Sequence, residues 1–533
     1  MQIRLLYVIL GFGLFLLGCA NRGTPSGGEK DLEPPVIVES DPENYATNFK
    51  GNEIRIYFNE YIKLKNISKQ LIISPPMKNK PEITPLSGAS KYINIKILDT
   101  LKPNTTYAFN FGNSIVDNNE ENPFPYFRYV FSTGETVDSL QLKGNILDAV
   151  GLKPDTFVSV MLYEADSTYT DSLVYKELPR YITNTLDSVS TFTLENLKPG
   201  KYKLLALKDN NQDNKYQQRS DKIGFHEGFV TVPNDSVYDL KLFKETPEFK
   251  VIRPKLLSGE KIAFGYQGNP KGAKIEITSA VSDSFAYKIT KDPKADSLIY
   301  WYKPRMKVDS LLFRVTNTDY EEDFTVRISE QKRDSLKLDT KPGSNINFHE
   351  MFSVTNLTPF DGFDQSKFTI LDKDSLTVDY SVKFDTLNNR YDFDFNKTEE
   401  NTYRIQMLPG AFVDFFETQN DTINLSLKTK TFGDYGNVRV MLQNAKFPLI
   451  VQLVDEKAVV KREVYATKQE PVDFLNVDGG NYYLRVVFDT NQNGIFDTGN
   501  FLKGIQPERV SYYPDLIEAR SGWDEVREFT LLD

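Results

Sequence analysis

The sequence predicts an all-β chain of tandem β-sandwich domains, and three observations predict it. Short runs alternate polar and apolar residues, as in Glu53-Ile54-Arg55-Ile56-Tyr57-Phe58 and Tyr92-Ile93-Asn94-Ile95-Lys96-Ile97-Leu98, bounded by Pro, Gly, Asn or Asp. Such alternation puts every second side chain on one face of a half-buried strand. No long stretch repeats its apolar residues at helical spacing. Two patterns also recur far apart in the chain, which marks repeated modules.

Length and composition set the frame. At 533 residues, and with domains of roughly 100–200 residues, three to five domains are expected. Charged residues at 26% and hydrophobic ones at 40% suit a folded body. The 37 Phe and 29 Tyr suit pleated strand surfaces. A net charge of −10, with no cluster of Lys and Arg, excludes nucleic acid as a partner.

The first element is a leader over residues 1–18. Met1-Gln2-Ile3-Arg4 is a basic start, and residues 5–17 are an almost unbroken apolar run. Spanning a bilayer as a helix takes roughly 20 residues, so the run reads as a signal-peptide core. It ends in Leu16-Leu17-Gly18-Cys19, which resembles the lipobox of bacterial lipoproteins. That resemblance implies lipid on Cys19, cleavage before it and a membrane as partner, with several acyl chains giving stable anchoring. Cys19 is the only cysteine, so no disulfide forms within the chain. Residues 19–33 read as the lipidated Cys and a flexible tether rich in Gly, Ser and Pro. Its Gly27-Gly28-Glu29-Lys30-Asp31 stretch is similar to acidic surface-export signals of Bacteroidetes lipoproteins.

The body divides by its repeats. Leu101-Lys102-Pro103-Asn104-Thr105-Thr106-Tyr107 leads to Ile115-Val116-Asp117, and Asn401-Thr402-Tyr403 leads to Phe412-Val413-Asp414. These elements predict related sandwiches at 34–135 and 341–433. In the second repeat, Leu197-Lys198-Pro199-Gly200-Lys201-Tyr202 precedes a strand and the loop from Asp209 to Tyr216. Likewise Val477-Asp478-Gly479-Gly480-Asn481-Tyr482 precedes a strand and the loop from Asp489 to Asp497. These predict sandwiches at 136–245 and 434–533. Residues 246–340 read as strands of a sandwich of uncertain type.

Pro34-Pro35-Val36-Ile37, Ser40-Asp41-Pro42 and the run from Ile54 to Ile62 resemble the SbsA-type bacterial Ig-like domain. The Gly turn, strand and Asx-rich loop resemble transthyretin-like (carboxypeptidase-regulatory-like) modules. The whole chain is similar to Ig-like lipoproteins of the Bacteroidetes. The resemblance implies an outer-membrane location, on either membrane face, and envelope proteins as partners. It also implies a place as accessory subunit of an envelope complex, outer-membrane protein assembly included.

The chemistry points away from an enzyme. Of two histidines, His226 and His349, the second begins a His-Glu pair that lacks the second His of a zinc helix. Neither a Gly-x-Ser-x-Gly elbow nor a phosphate loop occurs. A hydrolase would need two facing carboxylates in a cleft. Trp301 and Trp523 read as packing residues.

The Asx-rich loops are the metal candidates. Asp489, Asn491, Asn493 and Asp497 place oxygens at loop positions 1, 3, 5 and 9, Gly494 supplies the turn, and Ile495 offers its carbonyl. Calcium takes six to eight such oxygens. Asn500 stands where an EF-hand has its bidentate Glu. Asp209, Asn211 and Asp213 keep the first three positions without the Gly. The same residue types also make plain strand-to-strand turns. No cofactor is required on either reading.

Asp-Ser/Thr followed by an apolar residue recurs at Ser139, Ser172, Ser188, Ser236, Ser297, Ser310, Ser335, Ser375, Thr386 and Thr422. The motif is similar to the O-glycosylation acceptor of Bacteroidetes envelope proteins, and it also describes a turn that starts a strand. The function expected is a lipid-anchored scaffold or binding protein. The alternative is a surface carbohydrate-binding lipoprotein, which clustered exposed aromatics in a groove would favour.

Overall fold

The computed structural model describes residues 31–187 and 190–532. Strands take 48% of the residues and helix 3%, so the chain is all-β. The predicted signal peptide and Cys19 lie outside the described residues. Among the described residues no helix is long and apolar enough to cross a membrane.

The chain clusters into two compact units. One holds the described residues up to Leu140 with Arg180–Leu186 and Glu195–Lys198; the other holds Gln141–Pro179, Asp187–Leu194 and the chain from Pro199 on. The predicted 136–245 module therefore contributes residues to both.

The first unit is a sandwich. One sheet runs in the order Ile37–Asp41, Glu53–Leu64, Ser90–Lys96, Glu82–Thr84, with Ile115–Asp117 paired to the end of Glu53–Leu64. The facing sheet runs Ile72–Ser74, Thr106–Asn110, Arg128–Ser132. The alternation in sequence becomes the two faces: Ile54, Ile56 and Phe58 are buried and Glu53 and Arg55 exposed. Ile93, Ile95, Phe109 and Phe131 complete the core. Fully burying each such side chain contributes roughly 1.5–3 kcal/mol.

The second unit repeats that plan once. Leu338–Lys341, Phe352–Asn356, Arg390–Phe395 and Tyr380–Asp385 form one sheet; Phe368–Leu371, Thr402–Met407 and Ile423–Lys428 form another. Here the counterpart of the long Glu53–Leu64 strand is split into Phe352–Asn356 and Phe360–Phe363. Pro359 lies in the break, where a residue without an N–H cannot continue a ladder. Residues 250–327 form a further sandwich, of four strands (Lys250–Ser258, Lys261–Gln267, Ser297–Lys303, Ala286–Lys291) against three (Lys274–Ile277, Ser310–Asn317, Tyr320–Arg327).

The remaining strands form two sandwiches of one topology. Leu140–Asp148 runs parallel to Val237–Leu242, as Gly436–Gln443 runs parallel to Asp524–Thr530. Beside the first pair, Ser159–Glu164, Gly200–Lys208 and Lys222–Phe225 are hydrogen-bonded in order, with Val230–Val232 at the start of Gly200–Lys208. Beside the second, Leu449–Val454, Gly480–Phe488 and Val510–Tyr512 repeat the order, with Ile517–Ala519 in the equivalent place.

These two modules pack on each other. Arg485 donates from Nη1 to the Val150 carbonyl at 3.1 Å, and the Tyr512 hydroxyl donates to the same oxygen at 2.5 Å. The Phe501 N–H meets the buried Glu245 carboxylate at 2.5 Å, and its ring meets Phe225 edge-on at 5.4 Å. The Gln506 amide reaches the Phe225 carbonyl at 2.9 Å.

Candidate functional site

Each Asx-rich loop hangs from the end of a central strand, Gly200–Lys208 or Gly480–Phe488. The first residue past the strand is an Asp whose carboxylate folds the loop. Asp209 accepts the amides of Asn211 at 3.0 Å, Gln212 at 2.7 Å and Asn214 at 2.7 Å. Asp489 accepts those of Asn493 at 3.1 Å and Gly494 at 2.8 Å. Burial raises the Asp209 carboxyl above its ordinary range, and neighbouring Asp213 and Asp221 add to that despite the amide hydrogen bonds. Burial acts the same way on Asp489, but the Gly494 amide, the Tyr465 hydroxyl and the Asn493 amide outweigh it and hold that carboxyl low.

A second carboxylate closes each loop, and spacing in the sequence did not point to it. Asp221 accepts the Asn210 amide at 3.1 Å and the Gln217 amide at 2.9 Å. Glu508 accepts the Thr490 amide at 2.8 Å and the Asp497 amide at 3.0 Å. In both loops the carboxylate therefore bridges the residues one and eight places after the leading Asp. Asp221 follows its Asp by twelve residues and Glu508 by nineteen, so no fixed motif exposes the equivalence.

The predicted calcium set comes together in part. Asn491 and Asn493 both donate side-chain amides to Asp497, the second at 2.6 Å. Their own oxygens are already taken, that of Asn491 by the Asn493 backbone amide at 3.2 Å and that of Asn493 by the Ile495 backbone amide at 2.9 Å. Asn500 takes no part in that convergence; its side chain accepts the Lys503 amide at 2.9 Å. In the first loop Asp213 is occupied by the Lys215 amide at 3.0 Å and the Gln217 side chain at 2.7 Å. Among the described residues no group of three His, Cys, Asp or Glu side chains is gathered to hold a metal.

Most of the Asp-Ser/Thr motifs fall at the surface. Ser139, Ser172, Ser236, Ser335, Ser375, Thr386 and Thr422 are exposed, Ser297 and Ser310 half-buried, and Ser188 lies outside the described residues. Several also stand at strand starts, as the turn reading expects, including Leu140–Asp148, Val237–Leu242 and Ile423–Lys428. Trp301 is buried and donates to Thr290 at 2.9 Å. Trp523 is 60% exposed, which corrects its reading as a packing residue; Arg520 lies over its ring at 5.6 Å. It occupies a turn beside the first strand of the last module, with its carbonyl accepting the Asn437 amide at 2.9 Å.

The bacterial Ig-like domain family matches residues 31–133. No curated protein matches the chain. Among solved structures, surface layer protein SbsC, domains 1–6, is 12% identical, covering 91% of this chain and 67% of that one, with a TM-score of 0.15. Extracellular domains 3–5 of Drosophila OTK are 11% identical over 55% of this chain and 96% of that one, with a TM-score of 0.14. The chain therefore carries at 31–133 a module similar to the bacterial Ig-like domain, and the same strand order returns at 338–428.

Proposed function

We propose that this chain is a lipid-anchored envelope scaffold whose sandwich modules present binding surfaces to protein partners. The observation that carries the reading is the repetition of two sandwich topologies, one of them similar to the bacterial Ig-like domain. Acyl chains on Cys19 hold it to the outer membrane, and it acts without chemistry of its own. Its partners are envelope proteins, those of outer-membrane protein assembly among them. The 489–497 loop takes calcium through Asp489, Asn491, Asn493, the Ile495 carbonyl and Asp497, with Glu508 beside them. The 209–213 loop is the weaker site, through Asp209, Asn211 and Asp213. The exposed Ser and Thr of the Asp-Ser/Thr motifs carry O-glycans, which intact-mass measurement of the native protein reads directly.

The test is purification of the tagged full chain in mild detergent, with quantitative mass spectrometry of what accompanies it. A stoichiometric outer-membrane protein supports the scaffold reading and names the complex. Recovery of the chain alone, from wild-type and Cys19→Ser cells alike, overturns it.

A further inference from the structure

We propose that the second Ig-like module carries a binding groove for a neutral saccharide. The groove, of about 670 Å³, lies at one end of the hairpin Tyr380–Asp385/Arg390–Phe395, where Phe348 and Phe432 also line it. Phe432 is 51% exposed, and its ring lies against that of Phe348 with centroids 4.4 Å apart and planes 33° from parallel. A solvent-facing ring braced from behind is a platform on which the C–H face of a sugar ring packs.

The polar groups choose the ligand class. Lys397 is the only cation among the lining residues. Its side chain is 2% exposed, its ammonium donates to the Phe395 carbonyl at 2.9 Å, and it lies 3.7 Å from Asp394. It is thus consumed internally, and nothing mobile remains to meet a phosphate, sulfate or carboxylate. Among the described residues the Asp379 carboxylate has no hydrogen-bond or ionic partner, and it faces the groove as an acceptor. The Tyr380 hydroxyl is fully buried beside Gln365, which does not line the groove, so it offers the ligand nothing. Exposed Asn396 and Ser381 add groups that both donate and accept. A cationic side chain would satisfy the acceptors and leave every donor unmatched. A polyol, whose hydroxyls each donate and accept, uses both kinds around an aromatic floor.

This site goes beyond the scaffold reading, and a failed co-purification would leave it standing. The experiment titrates the purified full chain by calorimetry with hexasaccharides of glucose, xylose and mannose, and separately with hexalysine, at ligand concentrations up to about 10 mM. The result expected is binding of at least one neutral hexasaccharide and none of hexalysine. Phe432→Ala and Asp379→Ala should each weaken that binding about tenfold or more, with the unfolding midpoint unchanged. The proposal is overturned if no hexasaccharide binds, if both variants bind like the parent, or if hexalysine binds and Asp379→Ala abolishes it.

Discussion

The two Ig-like modules share single-residue devices that set their stability. In the first, the Tyr107 hydroxyl accepts the Lys102 amide at 2.9 Å; in the second, the Tyr403 hydroxyl accepts the Thr398 amide at 2.7 Å. Each ties a turn to the strand that follows it, and loss of the hydroxyl strands a backbone N–H. Tyr107→Phe and Tyr403→Phe should each cost about 1–2 kcal/mol in their own module. Hydrogen-exchange mass spectrometry along a urea gradient, which resolves the modules, checks this; equal midpoints for variant and parent would refute it. Asp117 is the companion device: its carboxylate accepts the amides of Asn119 at 2.7 Å, Glu120 at 2.8 Å, Glu121 at 3.1 Å and Asn122 at 2.8 Å. Burial alone would raise this carboxyl, but the four amides hold it below its ordinary value. A folded-state pKa below the unfolded one, about 3.9, stabilises the module above that pH. The contribution is lost as pH falls through the folded value. Asp117→Asn should therefore destabilise residues 31–140 at neutral pH and flatten their acid-induced loss of stability below about pH 4. The same exchange experiment run from pH 3 to 7 reads both effects.

At the scale of elements, legibility tracks how local the determining physics is. Glu53–Leu64 and Ser90–Lys96 alternate because each has one face on a core and one in water, so their period betrayed them. The Asx-rich loops were visible as Asn, Asp and Gly, yet Asp221 and Glu508, which close them, were not. Their role comes from where the chain returns, and the return takes twelve residues in one loop and nineteen in the other. The groove was invisible for the same reason: Phe348, Tyr380 and Phe432 are far apart in sequence and meet only through the sandwich. The closing carboxylate gives the loop prediction its handle. Glu508→Ala releases two amides at once, so exchange at Thr490 and Asp497 should rise at least about tenfold, whereas Glu508→Gln should retain part of the protection. If the loop holds calcium, millimolar calcium should raise protection further in the parent but not in Asp489→Ala, and a chelator should reverse it. Indifference of the parent to calcium would leave these loops as turns.

At the scale of the second unit, the seven additional residues of the longer loop have a visible use. Between Asp497 and Glu508 the chain reaches the other module of the same topology, where Thr498 donates to the Lys244 carbonyl at 2.7 Å and Phe501 meets Glu245 and Phe225. Glu245 is prepared for this: its other oxygen accepts the Tyr216 hydroxyl at 2.6 Å and the Gln218 amide at 2.8 Å. The docking also explains a departure from alternation. Leu449, Val451, Leu484 and Val486 face the core of the last module, while Ile450, Gln452, Arg485 and Val487 point the opposite way and are buried as well. Strands buried on both faces read as continuous apolar runs, which is what Leu449-Ile450-Val451 and Val486-Val487-Phe488 are. Gly499 is a close approach in the contact, because a Cβ there would stand 2.7 Å from the Phe243 ring and 2.6 Å from the carbonyl oxygen of Ile505 in its own loop. Gly499→Ala should loosen the docking without touching either core, and Phe501→Ala should do so more strongly, since truncating a buried Phe costs about 3–5 kcal/mol. Small-angle scattering of the full chain should then give a larger radius of gyration for Phe501→Ala than for the parent. Hydrogen exchange should rise at Val150, Phe225 and Tyr512 while the cores keep their protection. An unchanged radius with unchanged exchange at those three residues would mean that the remaining contacts, Arg485 and Tyr512 on Val150 among them, hold the two modules together without Phe501.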